Sequence, residues 1–264
     1  MDRKTISRKL SETVVGIYVF RGVEPLSRGS GFLFDQEGSV FTAAHVINNG
    51  RPFTPEELRD PTLKIWVKIK GQPSVEYFQA MPSLLIEGSF FREKLLIDLT
   101  ALRPKRPLPS ASSFLTTRIR TPVIGEDVLL AGFSDEMYPP FTFPHRLNPS
   151  LEGFPALMAA QKIGFDVELG MLIVKAGMIG SSFGFSFEGK TGVVKGAIFF
   201  VDNAMHSGAS GGPVVDENGE AIGVITERAI TRLASGPAPD LYVPSGATHA
   251  MNLEPLTAIG RDAR

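Results

Sequence analysis

The sequence predicts an all-β protein, and three features of the chain predict it. Short runs rich in β-branched and aromatic residues recur along its length, the composition that suits a half-buried pleated surface. Clusters of Gly, Asn and Asp separate these runs, as tight turns require. Stretches with helical spacing are few, and a basic, proline-rich segment divides the chain. With 264 residues there is room for one large β-rich domain or two small ones.

In chain order, residues 1–12 are a polar lead-in, either poorly ordered or helical. Thr-Val-Val-Gly-Ile-Tyr-Val-Phe at 13–20 predicts a strand. Residues 29–34 and 39–43 predict two more, joined by Asp35-Gln36-Glu37-Gly38, which leaves His45 just past a strand end. A surface excursion over 48–61 holds a helical turn at Thr54-Pro55-Glu56-Glu57-Leu58. Strands follow at 63–69 and 76–80, and Trp66 in the first is assigned to the core. Residues 95–101 are apolar around one carboxylate, Asp98. A buried, unpaired carboxylate is costly, so this position calls for a partner.

Arg103-Pro104-Lys105-Arg106-Pro107-Leu108-Pro109 predicts an extended, solvated connector. It divides the lead-in (1–12) and a first unit (13–105) from a linker (106–122), a second unit (123–246) and a tail (247–264). The second unit opens with a strand within 123–133. An excursion rich in Pro and aromatic residues follows over 135–175, with a short helix near 155–162. Segments of this length are commonly lids or binding loops, and the alternative is packing on the outside. Glycines over 175–196 predict short strands with tight turns, followed by a strand at 197–201. A hairpin turns at Asp216-Glu217-Asn218-Gly219, a short strand lies at 241–244, and 247–259 is open to a helix.

Lys+Arg 27 against Asp+Glu 28 gives a net charge of −1, which offers no electrostatic case for nucleic acid or an anionic membrane. The absence of cysteine excludes disulfides, thiolate chemistry and Cys-based zinc sites, and suits a reducing cytosol. No apolar run approaches the roughly 20 residues of a membrane span, and no apolar core follows the basic start as in a signal peptide. His145, His206 and His249 lack metal-ligand spacing. With no nucleotide-binding glycine pattern either, no metal or cofactor is expected.

The chemistry concentrates in His206-Ser207-Gly208-Ala209-Ser210-Gly211-Gly212-Pro213. A serine in a glycine-flanked turn can stand clear of its own chain, with neighbouring N–H groups aimed at one point, as oxyanion stabilisation requires. Together with Thr42-Ala43-Ala44-His45 and Asp98-Leu99-Thr100-Ala101-Leu102, in that order, this segment resembles the trypsin-like (chymotrypsin-fold) serine peptidases. Gly29-Ser30-Gly31-Phe32 with its Asp35-x-x-Gly38 hairpin is most similar to the HtrA/Deg branch of bacterial peptidases.

The resemblance covers residues 13–245. It implies two six-stranded antiparallel β-barrels with a short C-terminal helix, and a serine endopeptidase acting on polypeptides. By the same resemblance Ser210 is the nucleophile, His45 the base and Asp98 its orienting carboxylate, with an oxyanion hole from the N–H groups of Gly208 and Ser210. Ala204 would floor the primary specificity pocket, His206 would line its wall, and Thr226 would face Asp98 as a donor. A small apolar floor would favour an uncharged P1 residue. Zymogen-type relatives carry an acid directly before the serine, whereas this chain has Ala209, so activation by an N-terminal ion pair is not expected. No PDZ-length extension follows the second unit.

Two other readings compete. Gly208-Ala209-Ser210-Gly211-Gly212, followed by Asp240 and His249, also fits the nucleophile elbow of α/β-hydrolases, but that fold needs alternating strands and helices. The second is a catalytically latent domain that binds extended peptides by strand addition.

Overall fold

The computed structural model describes residues 1–48, 53–81, 84–86, 95–108, 113–134, 150, 172–189, 192–232 and 242–259. The chain opens with helix α1 (Arg3–Thr13), whose N-cap Asp2 accepts from Thr5 N at 3.0 Å. Ile6 and Leu10, one helical turn apart, are buried. The β-branched pair Val14-Val15 then ends the helix and starts the first barrel.

That barrel comprises β1 (Val14–Arg21), β2 (Glu24–Leu33), β3 (Val40–Thr42), β4 (Leu63–Lys68), β5 (Val75–Gln79) and β8 (Thr100–Pro104). It closes antiparallel in the order β1-β2-β3-β8-β5-β4. Helices α2 (Ala44–Asn48) and α3 (Pro55–Arg59) interrupt it, the latter held by a Thr54–Glu57 capping box. β6 (Leu84–Ile86) and β7 (Leu95–Ile97) form a separate two-stranded sheet.

The second barrel comprises β9 (Asp127–Phe133), β10 (Leu172–Gly189), β11 (Gly192–Val201), β12 (Pro213–Val215), β13 (Ala221–Arg232) and β14 (Tyr242–Asn252), closed in the order β10-β11-β14-β13-β12-β9. α4 (Leu256–Ile259) follows it. Two six-stranded antiparallel barrels and few helices agree with the predicted class and leave no place for an α/β-hydrolase.

Several expectations need correction. Arg103 and Pro104 belong to β8, paired with Phe78 and Tyr77. A proline is tolerated at such a strand end. The described part of the linker is docked: Leu115 is 0% exposed and its N–H donates to Leu33 O at 2.9 Å, while Arg118 N donates to Ala221 O at 2.8 Å. Of the glycines of 175–196, Gly177, Gly180, Gly184 and Gly196 fall inside the strands of one long hairpin, β10 and β11, and only Gly189 and Gly192 pair at its closed end. Some of them are sites of close packing: a Cβ on Gly196 would lie 2.5 Å from the Phe185 ring.

Residues 247–252 are strand, because β14 pairs with β11 on one side and β13 on the other and buries Thr248, Ala250 and Asn252. Helical structure after it is confined, among the described residues, to α4. Trp66 is only half-buried, since Ile65 and Val67 take the inward positions of β4. The 155–162 helix and all of the 135–175 excursion except residues 150 and 172–175 lie outside the described residues.

Candidate active site

Sheet register brings the site together. β3 pairs Thr42 with Thr100 of β8. His45 lies three residues beyond Thr42 and Asp98 two before Thr100, so both fall at the same end of this strand pair. A tight turn, Leu99 N to Ile97 O at 2.8 Å, holds Asp98 between two buried aliphatic residues. Its carboxylate grips His45 twice, accepting the backbone N–H at 2.9 Å and lying 2.7 Å from Nδ1. Burial lowers the affinity of the ring for a proton. The hydrogen bond and charge of Asp98, with the charge of Glu227, outweigh that and hold His45 above the usual imidazole value.

Ser210 arrives from the other barrel. β12 pairs Pro213 with Val224 of β13, which puts Ser210 and Thr226 on neighbouring segments. Ala209 N donates to His206 O at 3.2 Å, closing a four-residue turn whose third residue, Gly208, has φ +87°. A positive φ there is the mark of a type II turn. The next turn closes through Gly212 N to Ala209 O at 3.0 Å, with Gly211 also at φ +87°. A Cβ on Gly211 would lie 2.0 Å from Ser30 O, 2.2 Å from Thr42 Oγ1 and 3.1 Å from Ala43 N. The serine loop is therefore packed directly on the strand end that leads to His45. Ser30 N donates to Ser210 O at 2.8 Å, and Thr42 Oγ1 donates to Ser30 O at 2.7 Å.

The Ser210 hydroxyl donates to the Thr226 carbonyl at 3.2 Å. Among the described residues the N–H groups of Gly208 and Ser210 have no protein acceptor. Ala209 is 1% exposed and packs on Gly132, where a Cβ would lie 2.7 Å from the Ala209 side chain.

Thr226 does not serve Asp98. It sits at an irregularity in the β13–β14 register, and its hydroxyl donates to His249 O at 3.4 Å. The backbone N–H of His45 instead supplies a second donor to Asp98. Ala204 and His206 are both half-buried on the serine loop. The Ala204 carbonyl accepts from Lys175 Nζ, a contact the sequence did not suggest. His249 meets the Phe200 ring edge-on at 4.3 Å between centroids, and its Nδ1 lies 3.8 Å from the Glu227 carboxylate. His145 lies outside the described residues. Among those described, no cluster of three or more His, Cys, Asp or Glu could hold a metal ion, and no helix is long and apolar enough to cross a membrane.

Sequence reasoning assigned no role to Lys175, Glu227, Thr42 or the Ser30 side chain. The last two lay inside motifs already singled out. The first two carry no local signal, because their importance comes from pairing across strands.

A family model described as a trypsin-like peptidase domain matches residues 29–224. Among solved structures the chain is similar to the Rv3671c protease of M. tuberculosis. For a serine-to-alanine mutant in the inactive form, the TM-score is 0.55 at 15% identity, over 99% of this chain and 93% of that one. For the active form it is 0.54 at 16% identity, over 97% and 84%. At such identity the likeness is one of fold. No curated protein matches the chain in sequence. The family match spans more than half of the chain and takes in the segments of all three site residues, on a fold of paired β-barrels. The chain belongs to the trypsin-like peptidases and is a serine protease.

Proposed function

We propose that the protein is an endopeptidase that cleaves polypeptides through Ser210, His45 and Asp98 by way of an acyl-enzyme. The observation that carries this reading is the double grip of Asp98 on His45 beside a serine loop that is bonded to Ser30 and packed against Thr42. An alcohol attacks well only when a base takes its proton. The neutral imidazole would do so once Ser210 Oγ turns from the Thr226 carbonyl to Nε2. Asp98 would fix the ring's orientation and favour the imidazolium that forms. The N–H groups of Gly208 and Ser210 would then receive the oxyanion. Return of the proton from His45 to the leaving amine completes acylation, and a water repeats the sequence to release the acid.

Ala209 is uncharged and buried, so zymogen-type ion pairing at that position has no partner. With Ala204 at the floor of the primary pocket, a Lys175 ammonium on its carbonyl would oppose Lys or Arg at P1, in keeping with a preference for an uncharged residue. The HtrA/Deg-like affinity, the bacterial source and a cytoplasmic location rest on the motifs and the missing cysteines.

The second reading, a latent peptide-binding domain, is favoured by one observation: the resting Ser210 hydroxyl is bonded to Thr226 rather than to a base. A fluorophosphonate probe separates the two. Rapid labelling of the wild type, lost in Ser210→Ala and His45→Ala, supports the endopeptidase. An unlabelled, folded wild type would sink it and leave the latent domain.

A further inference from the structure

We infer that Ser30 is a positioning residue for the oxyanion loop, the point through which the N-terminal barrel holds the Gly208 turn in its donor-inward form. The inference rests on the endopeptidase reading of the same site.

Ser30 lies on β2 opposite Gly16 of β1 and is 0% exposed. Each of its polar groups is used. Its hydroxyl donates to Gly208 O at 2.8 Å and accepts from Phe133 N at 2.8 Å. Its N–H donates to Ser210 O at 2.8 Å, and its carbonyl accepts from Thr42 Oγ1 at 2.7 Å. One buried residue therefore joins β2 and β3 of the first barrel to β9 and the serine loop of the second. The hydroxyl bonds serve none of the strand pairing: both cross the seam between the barrels.

The device has work to do because the turn it holds is bistable. Type I and type II turns share their end points and differ chiefly by a flip of the central peptide. Here that peptide joins Ser207 and Gly208. Flipped, it would turn the Gly208 N–H away and put the Ser207 carbonyl in its place. Glycine adopts the φ of either form without strain, so Gly208 itself does not choose. Ser30 holds the carbonyl next after the flipping peptide, that of Gly208, and also the carbonyl of Ser210. Without the hydroxyl, Gly208 O is released and the buried Phe133 N–H loses its partner, a loss that desolvated groups do not recover from water. An oxyanion donor is useful only when its orientation is set before charge develops.

The test compares the full chain with Ser30→Ala and with Ser30→Thr, which keeps a hydroxyl. Active sites are titrated with the fluorophosphonate, then kcat and KM are measured on a fluorogenic peptide and Ki on a peptide aldehyde. In Ser30→Ala, kcat per titrated site is expected to fall about 10–100-fold, the scale of a misplaced catalytic group. KM should stay within about twofold of wild type, as when an interaction made only in the transition state is lost. Ki for the aldehyde, whose adduct places an oxyanion in the hole, should rise in step with the loss in kcat/KM. Ser30→Thr should recover most of kcat.

An unchanged kcat per titrated site in Ser30→Ala would overturn the inference. So would a loss seen only as fewer titratable sites or a higher KM, or a folded Ser30→Thr no better than Ser30→Ala. If Ser30→Ala does not fold, Ser30→Gly removes the same hydroxyl and carries the same comparison. A wild type that does not label removes the endopeptidase reading and this inference with it. A labelled wild type with an undiminished Ser30→Ala removes this inference alone.

Discussion

Burial of the His45 ring works against its charged form, yet Asp98 and Glu227 together raise its proton affinity above the ordinary value. A general base must be neutral to act, so the acid limb of kcat/KM should lie above the unperturbed imidazole pKa of about 6.5. The sign of each contribution sets what a substitution does. Glu227→Gln removes a charge that raises His45, so the limb should move to lower pH. The groups that bear on His45 are Asp98 between β7 and β8 and Glu227 on β13, and Glu227 also faces His249 of β14. Because the Glu227 side chain is 63% exposed, the shift should shrink as salt is added. A pH–rate profile that Glu227→Gln leaves in place would show that this charge does not act on the base. The same sign governs stability: the contribution of His45 is full below its unfolded pKa and fades as pH rises through its raised folded value.

Among the elements, α1 has the least expected position. It leads into β1 of the first barrel but lies against the second. Arg3 is 3.6 Å from Asp127 of β9, and Ile6 packs on Gly219 in the β12–β13 turn. Ile6 and Leu10 are 2% and 0% exposed, so the helix contributes core and is more than a lead-in. Leu10→Ala should cost about 2–5 kcal/mol, the range for truncating a buried leucine, read as a lower urea midpoint with an unchanged slope. A change below about 0.5 kcal/mol, the scale of surface substitutions, would mean that α1 does not share the core. β14 teaches the converse. Its sequence left a helix open, and strand won because partners on both sides take up its backbone groups.

The whole molecule is two barrels joined at more places than the chain connection. Ser30 crosses the seam, α1 braces it, and the linker is bonded to Leu33 of one barrel and Ala221 of the other. Arg118 and Arg120 lie 3.6 and 3.8 Å from the carboxylate of Asp216, which is almost fully buried. Coupling of this kind predicts that the barrels unfold together. Trp66, the sole tryptophan, reports on the first barrel alone, whereas far-ultraviolet circular dichroism reports on both. The two urea transitions should coincide. An earlier fluorescence transition would show that the first barrel opens independently.

The all-β class, most strands and the segments carrying His45, Asp98 and Ser210 were legible along the chain, because β-branched runs, turn residues and short motifs are local signals. The docking of the linker, the continuation of β8 through Pro104 and the outward face of Trp66 were not, since each depends on which neighbour takes up a backbone group or a side chain. The same division holds inside the site. Sequence named the groups that could do the chemistry. Only the tertiary structure decided that Asp98 serves the His45 backbone as well as its ring, that Thr226 offers its carbonyl to Ser210 and its hydroxyl to His249, and that Ser30 reaches Gly208 from the other barrel. Local sequence sets what a residue can do. Which of those groups meet is set by strand register and turns within each barrel and, for Ser30 and Gly208, 178 positions apart, by the two closed barrels coming together.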